Sequence, residues 1–103
     1  LDLASRFARE ELWPLQQRMD DEEWWPPQAM PALARMGFLG VTTPVDLGGA
    51  GSDFFTSGLI AQGLSRWNHA VALSYVAHEN LCLNNIVRNG GEALKRRFVP
   101  RLC

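Results

Sequence analysis

The sequence predicts an all-α domain of five or six helices, and three observations carry that expectation. Apolar residues recur at steps of three and four along most of the chain. The segments between these runs are closed by Pro, Gly and Asn, the residues that stop helices. No alternating apolar and polar stretch is long enough to read as a β-strand.

The first helix is read from Leu1 to Met19, where Leu3, Phe7, Leu12 and Leu15 keep a helical rhythm between Arg and Glu. Pro14 lacks a backbone donor and is expected to kink or split it. An acidic and aromatic stretch, Asp20 to Trp25, runs into Pro26-Pro27, and Trp24 and Trp25 are read as partly buried wedges between helices. A second helix, Gln28 to Met36, carries Met30, Leu33 and Met36, and Gly37 supplies its left-handed stop. Gly40 to Pro44 reads as a short extended link. Asp46 to Gly51 follows as a glycine-rich loop that lacks the Lys-Ser/Thr ending and the strand-then-helix setting of a phosphate cradle, which favours a tight turn.

Ser52 or Asp53 is the expected cap of a third helix that carries Phe55, Leu59, Gly63 and Arg66 and ends near Trp67. Val71 to Val87 is apolar on nearly every side, the pattern of a helix buried on most faces. Asn89-Gly90-Gly91 stops it. The last helix, Glu92 to Val99, opens with an acid, closes with Lys and Arg, and is expected to end at Pro100. A fully buried helix in 103 residues implies covering from residues beyond Cys103 or from another subunit.

Composition narrows the function classes. Hydrophobic residues make up 47% and charged residues 20%, as in a globular domain. A net charge of -1 leaves no positive field for phosphate, so no nucleic-acid partner is expected. The cluster Lys95, Arg96, Arg97 and Arg101 reads as a solvated helix end. No run approaches the roughly 18 to 20 apolar residues of a membrane span, and a soluble, intracellular chain is expected. Cys82 and Cys103 fit neither a zinc site nor a redox pair and read as structural thiols.

Read for chemistry, the residues offer little. His69 and His78 lie nine residues apart, which at about 100° per residue puts them on opposite faces of a helix and excludes a shared metal. His78 and Glu79 are adjacent and should point apart, so a hydrogen-bonded or surface histidine is favoured over an acid-base pair. The run Asp20 to Glu23 reads as a solvated turn. Ser52, Ser57, Ser65 and Ser74 lack a glycine-flanked nucleophile setting. Leu73, Ala77 and Leu81 recur at steps of four and put a small residue between two branched ones. Close packing of a neighbouring helix against Ala77 and a ligand cavity both fit that stripe, and packing is the simpler reading.

Longer stretches add a resemblance. Gly-Phe-Leu-Gly-Val-Thr-Thr-Pro, residues 37–44, followed by Leu-Gly-Gly-Ala-Gly, resembles the acyl-CoA dehydrogenase pattern in which a helix end runs into a proline and a glycine loop. Ala-Leu-Ser-Tyr-Val-Ala-His-Glu-Asn-Leu-Cys-Leu-Asn-Asn-Ile-Val-Arg-Asn-Gly, residues 72–90, is similar to the isovaleryl branch of that family, and Glu92 to Leu102 resembles its next helix. The likeness covers the chain from about Phe7 onward. Val76 and Glu79 depart from it, standing where a glycine and a serine are expected, and Gly91 is a further departure.

The resemblance implies that residues 1–103 form the helical N-terminal domain of an enzyme that also has a middle β-domain and a C-terminal four-helix bundle, assembled as a homotetramer. It implies FAD, bound mainly by the other domains, an acyl-CoA substrate, and an electron-transfer flavoprotein as electron acceptor. The glutamate base of the family lies in a region outside this sequence, so no catalytic residue and no metal ligand is expected here, and the chain alone is expected to be inactive. What carries over is the stripe: Leu73, Ala77 and Leu81 match positions that form one wall of the acyl pocket. A small Ala77 suits a short branched chain such as isovaleryl, from leucine catabolism. The expected location is the cytoplasm in a bacterium and the mitochondrial matrix in a eukaryote. Two other readings stay open: a non-catalytic helical interaction or assembly module that keeps the fold, and a flavin oxidase or monooxygenase relative.

Overall fold

A computed structural model describes residues 2–103. Leu1, where the sequence reading starts the first helix, lies outside the described residues. The element order is α1 (Asp2–Phe7), a π turn (Ala8–Leu12), α2 (Trp13–Glu22), α3 (Ala29–Arg35), a short 3₁₀ turn (Val45–Leu47), α4 (Phe54–Ser65), α5 (His69–Val76), a second π turn (Ala77–Leu83), α6 (Asn84–Asn89) and α7 (Glu92–Leu102). Each π turn joins its flanking helices without a break, so the described residues form five helical rods and no strand. The all-α expectation holds.

The first rod shows how the sequence absorbs Pro14. A proline in a helix interior has no N–H and drives its ring against the carbonyl four residues back, here that of Glu10. The chain widens just before it: the Trp13 amide reaches Ala8, five residues back, and Pro14 falls in the first turn of α2, where its missing donor costs least. The rod is therefore re-registered rather than split. Phe7 and Leu12 are buried as expected, whereas Leu3 is exposed. Glu23, with φ +50°, ends the rod, and the Arg18 guanidinium stacks 3.8 Å over Trp24. Trp24 is half-buried, but Trp25 is exposed; Pro26 is the buried member of that corner and Trp25 is no wedge.

Helix α3 buries Ala29, Ala32 and Leu33, and Gly37 provides the expected left-handed stop. The main core joins α1, α2, α3, α4 and α5 through Phe7, Met19, Leu33, Ile60, Leu64 and Tyr75, with Leu12 of the first π turn and Phe38 between them. Phe7 and Phe38 meet edge to face at 5.7 Å. Helices α1 and α4 approach closely at Gly63, where a Cβ would stand 2.9 Å from both the Ala4 Cβ and the Ser5 nitrogen. A smaller cluster of Leu47, Leu83 and Val99 seats α7.

Three expectations are corrected. Helix α4 is capped by Asp53, which accepts from the Thr56 amide at 2.9 Å, but of the stripe Phe55, Leu59, Gly63 and Arg66 it buries only Gly63, and it turns Ser57, Ile60 and Leu64 to the core beside it. Apolar residues occur on both sides of α4, so periodicity alone did not fix which side faces the core. Residues 40–44 form a turn, Thr43 N–H to Gly40 O at 3.2 Å, because the loop folds back on itself rather than running extended. Helix α7 runs through Pro100 to Leu102. The proline stands only two residues before the helix end, and the one carbonyl it leaves without a helical donor is that of Arg96, an exposed residue.

Candidate functional site

Residues 69–89 form the rod on which the predicted site sits, and its start is fixed from two sides. Asn68, buried, accepts from the Val71 amide at 3.1 Å as the cap of α5 and donates to the Leu12 carbonyl at 3.2 Å. One amide side chain thus ties the new helix to the end of the first π turn.

Two opposite stripes run along this rod at steps of four. Tyr75, Glu79 and Leu83 are all buried, while Leu73 and Leu81 are 71% and 73% exposed, with Ala77 partly exposed between them. In a plain α-helix each step of four advances the face by about 40°, so a stripe of three would drift by about 80°. The wider turn across Ala77–Leu83, in which the Asn84 amide reaches Glu79 O, holds more residues per turn and takes up that drift. Both stripes therefore stay straight. Within this chain the rod is covered on one side only: Asn80, Leu81 and Cys82 are exposed, because the packing partners among the described residues all lie on the other side. Cys82 is a free thiol on that exposed side.

The inner stripe is held by polar contacts to one loop. The Tyr75 hydroxyl donates to Phe38 O at 2.9 Å, and Glu79 accepts from Gly40 N–H at 2.6 Å and from Val41 N–H at 3.3 Å. Burial pushes the Glu79 carboxyl above its ordinary value, against the pull of those two amides and of His78. Burial, and then the Glu79 charge, push the Tyr75 phenol up as well, so it remains a donor. His78 turns away from Glu79, as adjacent helical residues should, and its Nε2 lies 2.6 Å from Leu102 O. A carbonyl only accepts, so Nε2 carries the proton there. His78 and Glu79 are thus no acid-base pair.

Sequence reasoning missed Glu79. The signal was present: a lone carboxylate four residues from Tyr75 and four from Leu83, on the inward side of an apolar helix.

The glycine loop is a turn and not a phosphate cradle. The amides of Gly48, Gly49, Ala50 and Gly51 all donate to backbone carbonyls, of Val45, Pro44, Gly40 and Thr43. A Cβ at Gly49 would run into the Thr43 carbonyl, which explains the glycine by close approach. With its amides spent, this loop does not fit a dinucleotide, and the described residues offer FAD no diphosphate site of this kind.

The predicted stripe only partly coincides with a concavity. An open groove of about 330 Å³ lies between α4 and α5, lined by Ala61, Gln62, Ser65, His69, Ala72, Leu73 and Val76. Leu73 borders it; Ala77 and Leu81 continue the same exposed side beyond it. Asp20 to Glu23 are exposed, as expected of a solvated turn, and Lys95 and Arg96 pair loosely with Glu92 at 3.8 Å. No helix among the described residues is long and apolar enough to cross a membrane.

Comparison with known proteins agrees with this architecture. Residues 1–103 match the family described as acyl-CoA dehydrogenase, N-terminal domain. The chain is 40% identical to a mitochondrial isovaleryl-CoA dehydrogenase of Bos taurus, with 96% of this chain and 24% of the relative covered. It is 34% identical to the mitochondrial isovaleryl-CoA dehydrogenase of Arabidopsis thaliana, covering 96% and 25%. An acyl-CoA dehydrogenase of Bacillus subtilis is 30% identical, covering 94% and 26%. The chain thus spans about a quarter of the length of the curated relatives it matches. Its all-helical fold and the match along its full length make this chain a member of the acyl-CoA dehydrogenase family, corresponding to the N-terminal domain.

Proposed function

We propose that this domain forms one wall of the acyl pocket in a flavoenzyme that dehydrogenates a short branched acyl-CoA at its α,β bond, with Leu73, Ala77 and Leu81 as the wall. The observation that carries the reading is the exposed stripe: two leucines standing in solvent on either side of an alanine, on a rod whose opposite stripe is anchored in the core. Covering a leucine side chain gains about 1.5–3 kcal/mol, so such a stripe favours an apolar partner. The gap at Ala77 admits a branch that a larger side chain would exclude.

FAD, when bound by the remainder of the enzyme, supplies the two-electron acceptor, and an electron-transfer flavoprotein takes the electrons onward. This domain's own residues do something narrower: they bind the acyl chain and keep water from it. No group of the stripe is acidic or basic, so none serves in proton transfer. The names of the relatives support the isovaleryl branch, and tetrameric assembly and a mitochondrial or bacterial cytoplasmic location belong to the same proposal.

Ala77→Phe in the complete flavoprotein tests the wall. The gap closes, and kcat/KM for isovaleryl-CoA is expected to fall about 10- to 200-fold while flavin content is retained, on the scale at which pockets sense one methylene. Unchanged kcat/KM would remove the stripe from the pocket. It would favour the other use of an exposed apolar side, an assembly surface without chemistry, for which the same substitution alters subunit association instead.

A further inference from the structure

The geometry points to Glu79 as a positioning residue for acyl-chain discrimination: its buried carboxylate clips the second π turn to the Gly40–Val41 backbone and so keeps Ala77 and Leu81 in line with Leu73. The inference rests on the reading of that stripe as the acyl wall.

A π turn is an uncommon local state that gives way to α geometry unless something holds it. Across Ala77–Leu83 nothing local does so: the segment contains no proline and no glycine. What holds it is tertiary. Glu79 is 2% exposed and spends both carboxylate oxygens on two consecutive amides of a single turn, Gly40 N–H on Oε1 and Val41 N–H on Oε2. Charge-assisted bonds of this kind are about twice as strong as neutral ones, and the two-point contact fixes orientation as well as distance. Tyr75 adds a bond to Phe38 O in the same loop, one turn earlier on the rod.

The loop is stiff enough to act as the anchor. Gly40 O itself accepts from Thr43 N–H and Ala50 N–H, so the turn that presents the two amides is closed by its own hydrogen bonds. Behind Gly40 sits Cys103: a Cβ at residue 40 would meet its Sγ and Cβ. The clip therefore connects the wall to a packed corner formed by residues 38–50 and the end of α7.

Reversion of the wide turn to α geometry would carry Leu81 about 80° around the rod from Leu73, against near alignment with the turn in place. Glu79 does not touch the stripe it controls; it acts through the backbone of the turn. Specificity for branched over straight acyl chains would thus depend on a carboxylate on the far side of the helix.

The test uses the complete flavoprotein as wild type, Glu79→Gln, Glu79→Asp and Ala77→Phe. The readouts are kcat and KM for isovaleryl-CoA and for the straight-chain acyl-CoA of equal carbon number, with flavin content alongside. Gln keeps one acceptor but sets its NH₂ against an amide N–H. The expected result for Glu79→Gln is a fall of about tenfold in the branched-to-straight ratio of kcat/KM, carried mainly by KM, with flavin content unchanged. Glu79→Asp, which withdraws the carboxylate by one methylene, shifts the ratio in the same direction. An unchanged ratio in both variants, with Ala77→Phe altering it, overturns the clip and leaves the wall standing. No effect of Ala77→Phe overturns the wall itself. Loss of soluble enzyme in both Glu79 variants assigns the residue to folding alone and overturns the positioning role.

Discussion

The two π turns of this domain look alike in the backbone and differ in what produces them. In the first, Ala8–Leu12, the cause is local: Pro14 stands two residues beyond it, and a wide turn ahead of the proline removes the clash with Glu10. In the second, Ala77–Leu83, the cause lies elsewhere in the chain, at the Gly40–Val41 amides that Glu79 engages. Both are held by a buried polar side chain, Asn68 on the Leu12 carbonyl and Glu79 on the loop. The first turn keeps a proline inside a core rod. The second keeps two stripes of a rod straight, one of them exposed and apolar, and that is the reason to associate it with the site.

The largest way to break the comparison is Asn68→Ala. It removes the cap of α5 and leaves the Leu12 carbonyl without its side-chain donor in one step, so unfolding free energy is expected to drop by about 2–4 kcal/mol in urea melts. A loss below about 0.5 kcal/mol would show that the first turn needs no pin. Gly63→Val comes next, because its side chain drives into the Ala4–Ser5 backbone; overpacking of about 1–3 kcal/mol is expected, read as a lower urea midpoint.

Pro14→Ala sharpens the local cause. With the donor restored, the Trp13 amide is expected to leave Ala8 O for Arg9 O, detected by couplings across the hydrogen bond, with stability altered by no more than about 1 kcal/mol. Persistence of the Ala8 bond would mean that Asn68 and not proline sets the turn.

The pH dependence of Glu79 is the smallest effect and bears on the second turn. Its carboxyl sits above the ordinary 4.5 in the folded chain, through burial first. The titratable groups around it are Tyr75 and, turned away, His78 on its own rod, and Cys103 from the end of α7. A raised carboxyl favours the folded state fully below the unfolded value, and that contribution is lost as pH rises through the folded value. Urea melts from pH 4 to pH 8 are therefore expected to show wild type losing stability relative to Glu79→Gln as pH rises. A difference that stays flat with pH would mean that Glu79 titrates alike in the folded and unfolded chain.

Much of this was legible in residues taken locally. Asp53 and Gly37 mark helix ends because capping and left-handed backbone are single-residue chemistry, and Asn89-Gly90 ends α6 in extended backbone. The spent amides of residues 48–51 agree with the preference for a turn over a phosphate cradle. What escaped depends on partners distant in sequence. Of the stripe Phe55, Leu59, Gly63 and Arg66 only Gly63 is buried, against α1, and the core side of α4 runs through Ile60 and Leu64 instead. Pro100 read as a terminator because the rule counts one residue and not the exposure of the carbonyl it frees. Glu79 was set aside for its neighbour His78, although the strict steps of four on both sides of the rod already departed from a 3.6 period.

The central claim is that the inner clip and the outer wall belong to one mechanical unit, and a double-mutant cycle in the complete flavoprotein tests it most directly. Glu79→Gln, Ala77→Phe and the double variant are compared through kcat/KM for isovaleryl-CoA. A coupling energy of at least about 0.5 kcal/mol is expected, because Ala77 loses its set position once the clip is gone. Effects that add within about 0.3 kcal/mol would contradict it, making the clip and the wall independent features of the same helix.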